Sequence, residues 1–202
     1  MRLTERVHHD LAQVLQHGDC AIDATAGNGH DTLFLAQQVG IHGKVFAFDI
    51  QPTALEQTKL RLQEHQLLDG VQLYLSNHAH MAQHIPAHLH GSIRAITFNL
   101  GYLPGAEHHI QTQASDTEEA LKQAVKLLAV DGILSILAYT GHEGGREEAD
   151  RVQAWIQTQQ PYFNIQQHIP KNTLKSPPEY TYMRKNSGYS MDVHFSEISS
   201  SG

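Results

Sequence analysis

The sequence predicts an α/β fold in which a mainly parallel, seven-stranded sheet carries helices on both faces, within one domain over residues 1–198. Three observations predict it. Short apolar runs alternate with segments of helical periodicity along most of the chain. The first run, Cys20-Ala21-Ile22, leads into a glycine turn, Asp23-Ala24-Thr25-Ala26-Gly27-Asn28-Gly29-His30-Asp31, and a helical pattern follows from Thr32. The second run, Lys44 to Asp49, ends in a carboxylate about 20 residues beyond the turn, where nucleotide-binding sheets place an acid on ribose hydroxyls.

Each element has its own justification. Leu3, Val7, Leu11, Val14 and Leu15 recur at helical spacing, so a lead-in helix should run until Gly18 ends it. The helix after the glycine turn extends to about Val39. Pro52 can start the next, which Leu55, Leu60 and Leu62 continue to about His65. Val71 to Leu75 alternates as a third strand, with Ser76-Asn77-His78 as its outgoing loop, and a short helix precedes Pro86. Ile93 to Phe98 is a fourth strand running into Asn99-Leu100-Gly101-Tyr102-Leu103-Pro104-Gly105. Ser115 or Asp116 can cap a helix whose apolar side is Ala120, Leu121, Ala124, Val125, Leu127 and Leu128. Gly132 to Tyr139 reads as a buried central strand. A helix carrying Val152, Trp155 and Ile156 follows, then strands from Tyr162 to Ile169 and from Tyr180 to about Lys185. The Ser-rich residues 199–202 are expected to form a tail without fixed structure.

Composition narrows the function. Cys20 is the single cysteine, which rules out a disulfide framework and suggests a reducing, cytoplasmic setting. No apolar run approaches the roughly 20 residues of a membrane span, and Met1 to Glu5 does not read as a signal peptide. A formal charge of −7 argues against indiscriminate nucleic-acid binding. The 16 histidines are scattered and mostly assigned to surface, without zinc-ligand spacing, so no metal is expected. Positive charge does gather late, at Lys171, Lys175, Arg184 and Lys185 with Glu179 as the single acid. That stretch is either a local phosphate-binding surface or an ordinary solvated hairpin.

The turn itself selects among cofactors. Thr32 stands where a dinucleotide fingerprint needs its third glycine, and there is no Gly-Lys-Ser/Thr of a P-loop. The Asp-x-x-x-Gly-x-Gly pattern resembles motif I of the class I S-adenosylmethionine-dependent methyltransferases, a nicotinamide enzyme being the alternative. Four loops at the carboxyl ends of the strands then become candidates. They are the glycine turn, Asp49-Ile50-Gln51, Ser76-Asn77-His78 near an adenine edge, and Asn99-Leu100-Gly101-Tyr102. Asn99 and Tyr102 have the Asn-x-x-Tyr spacing with which amino-methyltransferases hold a target amine and stack on its base, although Leu100 and Gly101 replace the usual prolines. His142 or Glu143 could accept the amine's proton. Tyr180 and Tyr182 could stack on nucleobases, aromatic alternation also being normal in a strand.

Residues 23–32, 46–51, 98–105 and Gly141-His142-x-Gly144-Gly145 together resemble the YtqB-like "putative rRNA methylase" family, over roughly residues 1 to 185. The resemblance implies a Rossmann-like class I methyltransferase, often homodimeric. The activity it implies is on the anticodon stem-loop of tRNA, methylating the aminomethyl group of 5-aminomethyl-2-thiouridine at the wobble position. Methylation of rRNA or of a small-molecule amine or hydroxyl is the alternative. S-adenosyl-L-methionine is expected to contact the segment Asp23, Thr25, Gly27, Asn28, Gly29, His30, Asp31 and Thr32, then Asp49, Ile50, Gln51, Asn77, His78 and Asn99. Substrate is expected at Tyr102, Leu103, Pro104, Gly105, His142, Lys171, Lys175, Tyr180 and Arg184, with Asn99, Tyr102 and His142 catalytic.

Overall fold

The structure is a computed structural model that describes residues 2–101, 114–141, 144–169 and 178–187. Its helices are α1 (Leu3–Ala12), α2 (His30–Val39), α3 (Pro52–Glu64), α4 (Met81–His84), α5 (Ala114–Leu127) and α6 (Gly145–Thr158). Its strands are β1 (Cys20–Asp23), β2 (Lys44–Asp49), β3 (Val71–Leu75), β4 (Ile93–Leu100), β5 (Leu128–Ala138), β6 (Phe163–His168) and β7 (Glu179–Lys185). They form one seven-stranded sheet in the order β3-β2-β1-β4-β5-β7-β6. The pairings among β1 to β5 are parallel, and β7 runs antiparallel to both of its neighbours. The expected class and strand number are therefore observed.

The central strands are continuously apolar because both sheet faces are covered. Ile22, Phe46, Phe48, Ile96, Phe98, Leu134 and Ile136 face a cluster completed by α4, α5 and α6. The alternate residues Ala21, Val45, Ala47, Ala95, Ile133 and Leu137 face a second cluster with α1, α2 and α3. β1 sits between β2 and β4, so the strand order reverses there and the loops leaving β1 and β4 separate into a crevice.

Three expectations about element ends are corrected. α1 stops at Ala12 with Gln13 as its C-cap, and Gly18 (φ +93°) only turns the chain afterwards. Val14 and Leu15 are buried all the same, from the loop. α5 starts at Ala114, which places Ser115 and Asp116 inside its first turn. β5 begins at Leu128, directly after α5, because Leu128 pairs with Ile93 before the chain turns through Asp131 (φ +59°) and resumes pairing at Ile133. The tail at 199–202 lies outside the described residues.

Candidate active site

The loop leaving β1 is held across both neighbouring strands: Ala24 N–H donates to Thr97 O at 2.9 Å and Ala26 N–H to Phe48 O at 2.8 Å. Gly27 (φ +53°) and Gly29 (φ +76°) occupy the left-handed region, and Gly29 is the N-cap of α2. At Gly29 an added Cβ would lie 2.7 Å from Thr58 Cα, so this glycine permits the close approach of α3. α3 in turn binds the loop carbonyls, Thr58 Oγ1 donating to Gly27 O at 3.1 Å and Arg61 Nε to Asn28 O at 2.7 Å.

Beneath the loop, Asp23 is fully buried and accepts from Thr32 Oγ1 at 2.6 Å and from Thr25 N–H at 3.2 Å. Burial, with the charge of Asp31 added, raises its pKa. Asp23 and Thr32, both 0 % exposed, thus brace the loop from inside, and their side chains do not face the crevice. This corrects their expected place among cofactor contacts.

Asp49 lies at the end of β2 with its carboxylate on backbone donors, Gly27 N–H on Oδ2 and Gln51 N–H on Oδ1, both at 2.9 Å, joined by the Ile50 amide. A carboxylate has about four acceptor directions, so three amides still leave one for a hydroxyl. Burial raises its pKa against the lowering effect of those amides. Ile50 beside it is exposed and Gln51 buried as the N-cap of α3. His30, exposed at the start of α2, stands 3.4 Å from Arg61, and burial followed by that guanidinium lowers its pKa.

After β3, the Asn77 side chain is occupied by the protein itself: Oδ1 accepts from Ala79 N–H at 2.9 Å and Nδ2 donates to Asp116 at 2.6 Å. His78 is buried, edge-on to Phe98, with Nδ1 3.3 Å from Ala24 O. Burial lowers its pKa and favours the neutral ring. A proton on Nδ1 then serves the carbonyl and leaves Nε2 as acceptor.

Asn99 projects from the end of β4. Its main-chain N–H donates to Thr25 Oγ1 at 2.7 Å and its Nδ2 donates to Asp31 Oδ2 at 2.7 Å. The other Asp31 oxygen is 2.6 Å from His8 Nε2. Burial opposes ionisation of Asp31, but the hydrogen bonds from His8 and Asn99, together with the electrostatic attraction of His8 and His30, outweigh it and hold its pKa below the ordinary value. Tyr139, just past β5, donates its N–H to Leu100 O at 2.9 Å, and its phenol pKa is raised by burial and then by the Asp31 charge.

The strand ends thus bring together the glycine turn, Asp49 and its neighbours, Asn77, His78 and Asn99. Tyr102, Leu103, Pro104, Gly105, His142, Glu143, Lys171 and Lys175 lie outside the described residues. Two substrate expectations are corrected. Tyr180 is 3 % exposed, its ring in the cluster beneath α1 and its hydroxyl donating to Asp10 at 3.2 Å, so no face is open for stacking. Arg184 pairs with Ile133 near the start of β5 and bridges to Asp131 at 3.4 Å, at the opposite end of the sheet from the crevice. The sequence reading missed His8, Thr58, Arg61 and Tyr139. A histidine flanking the apolar stripe Leu3-Val7-Leu11 was the one legible sign of His8, and Thr58 carried none.

This doubly wound sheet, with its glycine turn, an acid ending β2 and an antiparallel β7 between β5 and β6, is the Rossmann-like fold of solved methyltransferases. The model of the family described as "Putative rRNA methylase" matches residues 45–184, and the chain belongs to that family of S-adenosylmethionine-dependent methyltransferases. Among solved structures, it resembles a "putative rRNA-methylase" of Clostridium thermocellum at 36 % identity and TM-score 0.85, covering 90 % of this chain and 96 % of that one. A "putative methyltransferase" of Streptococcus mutans, solved in complex with SAH, is 36 % identical at TM-score 0.81, covering 92 % and 98 %. An Arabidopsis thaliana protein called chloroplastic tRNA (mnm(5)s(2)U34)-methyltransferase is 40 % identical over 162 residues, which is 76 % of this chain. The chain matches only 58 % of that relative's length. No helix among the described residues is long and apolar enough to cross a membrane.

Proposed function

We propose that this protein is a tRNA N-methyltransferase that methylates the aminomethyl nitrogen of 5-aminomethyl-2-(thio)uridine at the wobble position. The observation that carries the reading is the orientation of Asn99. Its Nδ2 is committed to the Asp31 carboxylate, so Oδ1 is the atom left to accept a hydrogen bond. An amine N–H donated to that oxygen aims the nitrogen lone pair, and such positioning is a large source of rate in a direct displacement. The name of the Arabidopsis relative supports the substrate.

The residues present fit S-adenosylmethionine. Asp49 would accept from the ribose hydroxyls, the loop at Gly27 to Asp31 would hold the amino-acid end, and Ile50, Asn77 and His78 would lie against the base. The cofactor supplies an electrophilic methyl group. The protein's part is to orient the neutral amine at Asn99 Oδ1 and keep it desolvated, because a protonated amine has no lone pair to give. Tyr102 as a stacking ring, His142 as proton acceptor, Lys171 and Lys175 as phosphate contacts and a homodimeric assembly in the cytoplasm belong to the same proposal.

The test supplies the protein with labelled cofactor and tRNA carrying the aminomethyl nucleoside, and digests the product for nucleoside mass spectrometry. One added methyl on that nucleoside is expected, with Asn99→Ala binding cofactor but losing turnover. Label appearing only in rRNA or in small amines would replace this substrate with the alternative one.

A further inference from the structure

We propose that His8, on the N-terminal helix, is a positioning residue for Asn99, acting through the Asp31 carboxylate between them. The inference rests on the role given to Asn99 above. It starts from the chain of contacts His8 Nε2 to Asp31 Oδ1 at 2.6 Å and Asp31 Oδ2 to Asn99 Nδ2 at 2.7 Å. Three segments far apart in sequence (α1, the start of α2, and the end of β4) meet in this one array.

A carboxylate only accepts, so both flanking groups must donate to it, and this decides two ambiguous orientations. The Asn99 amide must turn its NH₂ toward Asp31 and its oxygen away. His8 must carry its proton on Nε2. With one donor on each oxygen, the plane of the Asp31 carboxylate is set, and with it the torsion of Asn99. Losing the His8 donor frees one oxygen to rotate or to take a water, and the Asn99 amide then samples orientations that misplace Oδ1.

His8 is itself held in place. Its ring stacks on Phe34 at 4.0 Å between centroids and 3° between planes. Phe34 lies one helical turn after Asp31, so α2 presents the stacking ring and the carboxylate side by side. On α1, Val7 and Leu11 are buried in the core, and Asp10 receives the Tyr180 hydroxyl from β7. The helix is anchored on both sides of His8. These supports suit a residue whose position matters, since a solvated histidine needs none of them.

His8→Phe keeps a ring on Phe34 and removes the donor, while His8→Gln restores an N–H donor. Should His8→Phe not fold, His8→Leu serves as the variant without a donor. In cofactor-free protein, the side-chain amide resonances of Asn99 are expected to shift or broaden in His8→Phe and to return toward wild type in His8→Gln. Turnover of the aminomethyl tRNA is expected to fall about tenfold or more in His8→Phe and to recover in His8→Gln. Cofactor Kd by calorimetry should stay within about threefold. In an Asn99→Ala background, His8→Phe should add no further loss in single-turnover rate. Unmoved Asn99 resonances, additive losses, or equal loss of cofactor affinity and turnover would each overturn the assignment. If Asn99→Ala keeps full activity, the reading of Asn99 fails while the resonance coupling to His8 still stands or falls by itself. If Asn99→Ala is inactive and His8→Phe is fully active, the His8 assignment alone is lost.

Discussion

Asp49 Oδ2 accepts the N–H of Gly27 at 2.9 Å, so the acid that ends β2 also fixes the bend of the turn that follows β1. Its other oxygen accepts from Gln51 N–H. An amide cannot replace it: in Asp49→Asn, either orientation sets an NH₂ against a backbone donor. Hydrogen bonds to a charged group contribute about 1.5–3 kcal/mol, so cofactor Kd should rise roughly 10- to 100-fold. Calorimetric titration of S-adenosylmethionine reads it. The raised pKa of Asp49 adds a direction, since the proposed ribose contact uses the ionised form. Affinity should fall as pH drops through a range above that of an ordinary aspartate.

Gly29→Ala should be more damaging than its size suggests. The position has φ +76°, and the new methyl would meet the Thr58 backbone at 2.7 Å. Backbone strain of this kind costs about 1–3 kcal/mol, and α3 must shift in addition. Thermal unfolding should show the loss, and cofactor affinity should fall with it because the loop carbonyls are bound by α3.

Asp23→Asn is expected to be tolerated, and the reason is electrostatic. The amide oxygen can accept from Thr25 N–H while NH₂ donates to Thr32 Oγ1, so both contacts survive. In the wild type, burial and Asp31 raise the Asp23 pKa, so the folded protein holds this proton more tightly than the unfolded chain. Stability is therefore lost as pH rises from the ordinary aspartate range toward the folded value. Denaturant unfolding should find Asp23→Asn as stable as the wild type or more so near pH 8, the difference shrinking near pH 5. A variant markedly less stable at pH 8 would refute this account.

Lys185 gives a prediction of opposite slope. Its Nζ is buried where α5 passes into β5 and donates to Val125 O at 2.9 Å and Leu128 O at 2.7 Å. Lys185→Met leaves those carbonyls without their donor, at a cost of about 2 kcal/mol or more. Burial lowers the lysine pKa to about 8 from 10.5, so between these values the unfolded chain binds more protons. Wild-type stability should rise with pH across that window and be flat below it, while Lys185→Met should lack the rise.

What could be read in advance was local. The turn from Asp23 to Asp31 announces itself because strand, glycines and helix are contiguous, and Asp49 lies one unit further along the repeat. Tyr180 and Arg184 were misplaced for a physical reason. Alternation along a strand separates its two faces but does not say which one is covered, and the antiparallel course of β7 carries Arg184 to the far end of the sheet. His8 was assigned to the surface because its partners lie 23 and 26 residues away, on α2.

By itself, the order of residues determined the alternation of strands and helices, the glycine turn and the acid that follows it, since each depends on periodicity or on torsions within a few positions. Tertiary structure decided which polar groups stay open to a ligand. Packing seals Asp23 and Thr32, occupies Asn77, and sets Asp31 between His8 and Asn99. The availability of a hydrogen-bonding group depends on what the fold places beside it.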